Sequence, residues 1–153
     1  MTTPVEPSHL TSHLGFWLRF VSNHVSHAFA RKLEDRDVTV AEWVLLRELY
    51  DVDHIAPSRL AERMGMTRGA ITKLADRLIA KGLVSRQANP DDARAQTLAI
   101  TPAGQRLVPE LSTLADRNDA EFFGHLAPAE REEIERLLKE IIARRGLTAV
   151  PVS

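Results

Sequence analysis

The 153-residue sequence contains no cysteine, which excludes disulfides, thiolate nucleophiles and cysteine-based zinc sites. It also lacks any apolar run near the ~18–20 residues a bilayer crossing needs, so no membrane association is expected. The opening "MTTPVEPSHL" has neither the basic nor the apolar region of a signal peptide, and the cytoplasm is the expected compartment. No nucleophile elbow and no phosphate-cradling glycine loop is present, so no enzyme is expected. Neither internal repeats nor low-complexity tracts occur. What is there reads as one globular domain: 44% hydrophobic and 27% charged residues, too apolar for disorder and long enough to build a core.

Net charge is nearly absent as well, at −1, which taken alone argues against a nucleic-acid partner. The distribution argues otherwise. Between Arg59 and Arg94 there are eight basic residues against four acids, whereas Glu110 to Glu140 holds nine acids against four bases. A basic middle and an acidic end fit a polyanion-binding face with a separate remote region.

Periodicity predicts a mainly helical chain. After a loose tail, Leu10, Leu14, Trp17, Leu18, Val21, Val25, Phe29 and Leu33 recur at three- and four-residue steps, predicting a long helix over 9–35. "TVAE" from Thr39 is a capping box that opens a second helix to Tyr50. "DVDHIAP" then connects, with Ile55 able to form one short strand. Ser58 is expected to cap a short helix bearing Leu60, Ala61 and Met64, stopped by Gly65. Thr67 caps the next, whose stripe is Ile71, Leu74, Leu78 and Ile79, and Gly82 stops it. Two short helices across a tight glycine turn make a helix-turn-helix.

Next, "LVSRQA" and "QTLAI" read as two strands, with "NPDDAR" as the loop between them. A hairpin directly after a helix-turn-helix is a wing, and Arg94 near its tip is placed to enter a narrow, electronegative minor groove. Thr101 and Pro102 restart helix, Gly124 breaks it, and Pro128 begins a last helix rich in Leu and Ile that ends at "RRG". The closing "LTAVPVS" reads as a loose end. The fold class is therefore mainly α with a small β-wing.

Off the apolar stripe of the second short helix lie Arg68, Gly69, Thr72, Lys73 and Arg77. Arg and Lys can donate to guanine edges or phosphates, and Thr can meet a thymine methyl. Gly69 costs helix propensity, which makes sense if backbone approaches DNA closely. The helix start at Thr67 can hold a phosphate. Ser58 and Arg86 complete the candidate DNA face, Arg86 as a support for the wing stem. His9 with His13, and His24 with His27, each put two imidazoles on one helix face, but no third ligand is placed beside them, so neither metal nor cofactor is expected. Phe16, Trp17, Phe20 and Trp43 suit core and dimer packing first; the alternative, with His13 or Arg19 as polar anchors, is a pocket for a small aromatic effector.

Over roughly His9 to Arg145 the chain resembles the MarR family of winged-helix transcription regulators. The resemblance rests on "SRLAERMGMTRGAITKLADRLIAKGLVSR" and "NPDDARAQTLAITPAGQRL", the latter with an Asp-x-Arg pair at Asp92 and Arg94 and a closing glycine. It departs at Ala93, where many members carry a further basic residue, and in having no cysteine for hydroperoxide sensing. The resemblance implies a single 1–153 domain in which 9–35 and 102–145 are dimerisation helices and 39–100 is the winged helix-turn-helix lobe. It implies a homodimer on a pseudo-palindromic operator in double-stranded DNA, usually acting as a repressor, with effectors held between the dimerisation helices and the lobe. Asp92 would orient the Arg94 guanidinium. A protein-interaction adaptor with a degenerate winged helix is the competing reading, which the near-neutral charge favours and the concentrated basic set opposes.

Overall fold

The first helix starts later than its apolar spacing predicts. The computed structural model describes residues 2–89 and 91–148, apart from the side chains at 93 and 94, and in it Leu10–Ser12 form a single 3-10 turn before α1, Leu14–Glu34. His13, between them, is extended, and the Trp17 indole Nε1 donates to the Thr11 carbonyl at 3.0 Å, holding the turn against the helix. Leu10 stands four residues before Leu14, in phase with the α1 stripe, so spacing alone carries the helix past the extended His13.

The helix α2, Val40–Tyr50, opens on the expected capping box: Glu42 N donates to Thr39 Oγ1 and Thr39 N donates to Glu42 Oε1, both at 3.1 Å. The next helix, α3, spans Pro57–Met64, and its cap corrects the sequence expectation. Ala56, not Ser58, is the N-cap residue, and Pro57 occupies the first turn, where its fixed φ suits the helix and its missing N–H leaves nothing unpaired. Gly65 ends α3 in the left-handed region at φ 64°, a conformation that a side chain would strain. Thr67 caps α4, Arg68–Ala80, accepting from Ala70 N at 3.1 Å. Lys81 and the left-handed Gly82 then turn the chain into the hairpin.

Strands β1, Val84–Asn89, and β2, Asp92–Ile100, pair antiparallel from Val84 opposite Ile100. Ile55 bridges Leu98 on the other side of β2, so the connector adds one short rung to the sheet. The loop expected over "NPDDAR" is shorter than the sequence implied. Asn89 pairs with Asp92 while the neighbouring Ala88 pairs with Gln96, so β2 carries a bulge next to the tip. Asn89 Oδ1 accepts from Asp91 N at 2.9 Å, a side-chain turn that lets the strands close early. The turn residue Pro90 and residues 149–153 of the expected loose end lie outside the described residues.

Thr101 caps α5, Pro102–Phe123, and its hydroxyl also donates to Gly82 O at 2.7 Å, joining the end of the wing to the end of α4. The last helix, α6, spans Pro128–Arg145, and the left-handed Gly146 closes it.

One core joins these elements. Leu45, Leu46 and Leu49 of α2 meet Leu60 of α3, Ile71 and Leu78 of α4, Leu98 of β2 and Leu111 of α5, all fully buried or nearly so. A long-range polar clasp ties α1 to α5. Asn118, itself buried, donates to Val25 O at 3.1 Å and accepts from Lys32 Nζ at 3.0 Å, while Lys32 also pairs with Glu121 at 2.7 Å. In contrast, α6 buries none of its residues, and its Ile134, Leu137, Leu138, Ile141 and Ile142 are exposed. On α1 only Leu33 is buried, and Leu14, Trp17, Leu18 and Val21 face outward.

Candidate nucleic-acid interface

The stripe on α4 fixes which face it can offer. Ile71, Leu74, Ala75 and Leu78 are buried, and Ile79 packs partly against the same core. At 100° per residue the opposite face falls into two rows. Arg68, Thr72 and Asp76 form the row beside the hairpin; Gly69, Lys73 and Arg77 form the outer row, and all six are exposed. A Cβ on Gly69 would meet nothing nearer than Thr67 Oγ1 at 4.0 Å, so the chain's own packing does not demand glycine there. The Thr72 hydroxyl donates to Arg68 O at 2.9 Å, which leaves its oxygen lone pairs and methyl for an outside contact.

Between the start of α3, the Arg68 row and the hairpin lies a groove of about 350 Å³. Ile71, Ala75 and Leu98 form its floor, and Ser58, Arg68, Thr72, Arg86 and Gln96 are its polar members. Ser58, displaced from its expected capping role, therefore sits at the second helical position with its side chain exposed near Arg68. Arg86 Nη2 pairs with Asp76 Oδ1 at 2.6 Å, tying β1 to α4. Asp76 is a candidate that apolar spacing by itself does not single out. The signal was present, an acid one turn beyond Thr72 on an otherwise basic face, but its partner lies on another element.

Beyond the groove, Asp92 opens β2 as an exposed residue at the hairpin tip, and the side chain of Arg94 lies outside the described residues. Arg77 completes the outer row towards the Lys81 end of α4. The structure thus gathers Ser58, Arg68, Thr72 and Arg86 around one groove, with Thr67 at the start of α4 and Gly69, Lys73 and Arg77 on its outer row.

An ion pair ties the end of α4 to the start of α2. Lys81 donates to Glu42 Oε2 at 3.0 Å and to Asp37 O at 2.5 Å. Burial pushes the Glu42 carboxyl up, yet hydrogen bonds from Lys81 and Thr39 together with the Lys81 charge hold it below the ordinary glutamate range.

The aromatic candidates divide between two places. His13, Phe16 and Phe20 line a groove of about 550 Å³ along α1 together with Arg19, Asn23 and His24. The Phe20 and His24 rings stack at 5.0 Å, and Trp17 packs edge-on against Phe16 at 5.1 Å. Trp43 stands apart from that groove, edge-on to Phe29 at 6.3 Å and packed against the core, because the buried stripe of α2 turns it inward. Among the described residues, no three His, Asp or Glu side chains gather as a metal site.

The sequence profile of the MarR family matches residues 36–95, the segment that runs from just before α2 to the bulged part of the wing. A Thauera aromatica protein, provisionally named as the transcriptional regulatory protein for the hcr operon, is 30% identical over 94% of this chain and 87% of its own length. This chain belongs to the MarR family. Solved MarR-family structures overlie it closely. BpsR of Bordetella bronchiseptica, whose DNA binding is regulated by 6-hydroxynicotinic acid, matches with a TM-score of 0.80 and 27% identity, over 89% of this chain and 97% of that one. A mutant of Escherichia coli MarR in complex with operator DNA matches with a TM-score of 0.78 and 27% identity, over 84% and 93% respectively.

Membership makes α3 and α4 the helix-turn-helix and β1–β2 the wing of a MarR-type DNA-binding transcriptional regulator, in a family of regulators rather than enzymes. No described helix is long and apolar enough to cross a membrane.

Proposed function

We propose that this MarR-family chain is a homodimeric, ligand-responsive repressor that reads a pseudo-palindromic operator. One observation carries the reading: a helix that buries Ile71, Leu74, Ala75 and Leu78 leaves Arg68, Thr72, Lys73 and Arg77 exposed beside a hairpin. In the operator complex α4 enters the major groove, Arg68, Lys73 and Arg77 donate to base edges or phosphates, and Gly69 admits the backbone closely. Ser58 and the α4 N-terminus at Thr67 hold phosphates, and Arg94, oriented by Asp92, reaches the flanking minor groove.

The dimer is supported by the apolar side chains left exposed on α1 and α6, more than a small soluble protomer leaves uncovered. In this arrangement 9–35 and 102–145 supply the dimer and 39–100 the DNA-binding lobe. The α1 groove, with an apolar wall from Phe16 and Phe20 and polar groups from His13 and Arg19, suits a small aromatic acid. Regulation of the relative BpsR by 6-hydroxynicotinic acid supports the same chemistry here. Gel retardation of the DNA upstream of the chain's own gene tests the reading. A retarded band at nanomolar protein that an aromatic acid releases is expected; no retardation at low salt would leave only the adaptor alternative.

A further inference from the structure

Asp76 is an acid in the middle of a face built to meet phosphates. On α4 it lies four residues after Thr72 and eight after Arg68, in the row beside the hairpin, and it is exposed. Coulomb repulsion from a phosphate backbone should make an acid there harmful to DNA binding. The structure shows what offsets it: Arg86, from the stem of the wing, pairs with it at 2.6 Å. Arg86 stands opposite Leu98 in the hairpin register, and Leu98 is the residue that also bridges Ile55. The ion pair is thus a clamp between α4 and the strand that carries the wing, and Arg86 itself lines the groove with Ile71, Ala75 and Leu98. Asp76 engages one terminal nitrogen of a guanidinium with five N–H donors, so the others remain able to face a phosphate.

We infer that Asp76 is a positioning residue for operator binding. It acts through Arg86, holding the guanidinium in line with Arg68 and Thr72 and fixing the angle between wing and recognition helix. The inference rests on the DNA-binding reading above and adds a sign to it. If Asp76 were only a misplaced surface charge, removing it would strengthen binding to every duplex. If it positions Arg86, its removal weakens binding to the operator while leaving or improving attraction to unrelated DNA.

The test uses the full-length protein and two duplexes of equal length: one selected from a random-sequence library by the wild-type protein, and one unrelated. For Asp76→Asn, the ratio of affinities between selected and unrelated duplex should fall by roughly tenfold, the low end for losing one well-placed contact. Asp76→Glu should restore part of that ratio. Arg86→Ala should lower the ratio too, and the double variant should be no worse than Arg86→Ala alone, because the two residues act as one unit. Thermal unfolding of each variant should stay near wild type, since the pair is exposed and contributes little to folding. Additive losses in the double variant, or tighter operator binding by Asp76→Asn, would overturn the inference. Failure of the wild-type protein to select any sequence would instead overturn the DNA-binding reading itself.

Discussion

Glu42, three residues into the capping box of α2, accepts a hydrogen bond from Lys81 at the C-terminal cap of α4 at 3.0 Å. One carboxylate therefore caps one helix and anchors the end of the recognition helix. With 1% of its surface exposed, Glu42 is a buried charge whose cost is offset by the Lys81 ammonium and by Thr39 N.

Replacing it with Gln should destabilise the lobe by about 1.5–3 kcal/mol near neutral pH, the scale of a buried hydrogen bond to a charged group. The pH dependence has a definite sign. The Glu42 pKa is lower in the folded chain, so its contribution is complete above the ordinary glutamate pKa and fades as pH falls through the depressed folded value. Wild-type and Glu42→Gln denaturation midpoints should therefore converge in acid. A gap that stayed constant from pH 7 to pH 3 would mean that the carboxylate's charge is not what stabilises.

Features that depend on a few neighbouring residues were legible in the sequence. The Thr39, Thr67 and Thr101 caps, the stops at Gly65, Gly82 and Gly146, and the buried stripe of α4 all stand where spacing put them. The errors fell where two local signals compete. Ser58 and Pro57 both mark a helix start, and the ring of Pro57 prevailed. The exposed candidates on α4 are legible because they lie off one stripe. Asp76, Asn118 and Lys32 are not, since each acquires its role from a partner on another element, 10 residues away for Asp76 and 86 for the Lys32–Asn118 pair. Residue type alone groups Trp43 with Phe16 and Phe20, although its helix turns it to the core.

Gly104 makes a stronger demand than glycine's usual freedom in turns. A Cβ there would fall on the Leu83 carbonyl oxygen and, at 2.6 Å, on Ile100 Cγ1. The start of α5 is thereby pressed against the stem of the wing. Gly104→Ala should cost about 1–3 kcal/mol through overpacking. It should also displace the hairpin, so operator affinity should fall more than the stability loss alone accounts for. Chemical denaturation alongside DNA titration checks both; a variant of wild-type stability would show that the wing stem yields freely.

The exposed α6 face allows the proposed dimer to be tested apart from folding. Leu138 is 40% exposed in the protomer, so exchanging it for Lys removes little of the core. If α6 lies in the proposed two-fold interface, that remaining two-fifths is lost twice, at about 0.6–1.2 kcal/mol each, which should raise the dimer dissociation constant roughly tenfold or more. Sedimentation should show a helical monomer with native-like circular dichroism. Operator affinity should fall with it, because two lobes no longer bind as one unit. An unchanged dimer would remove α6 from the interface.

The wing offers the sharpest test of how this lobe meets DNA. Arg94 belongs to β2 by its backbone and follows the basic recognition helix in a hairpin too short to carry a core of its own. Arg94→Ala should therefore leave thermal stability nearly unchanged, within roughly 0.5 kcal/mol. Operator binding should weaken by about 1–3 kcal/mol per wing if the guanidinium makes a charge-assisted contact in the minor groove. The slope of log affinity against log salt should shrink by roughly one for each wing, because one counterion-releasing contact is lost. Lys at this position should rescue only in part: an ammonium is more strongly hydrated than a planar guanidinium and enters a narrow groove less readily. Asp92→Ala should give a smaller loss, because it would loosen the arginine without removing it. Operators with A-tract flanks should suffer most from Arg94→Ala, since their narrow minor grooves hold the strongest negative potential. Unchanged affinity together with an unchanged salt slope would show that the wing stands clear of DNA and that the two rows on α4 bind alone.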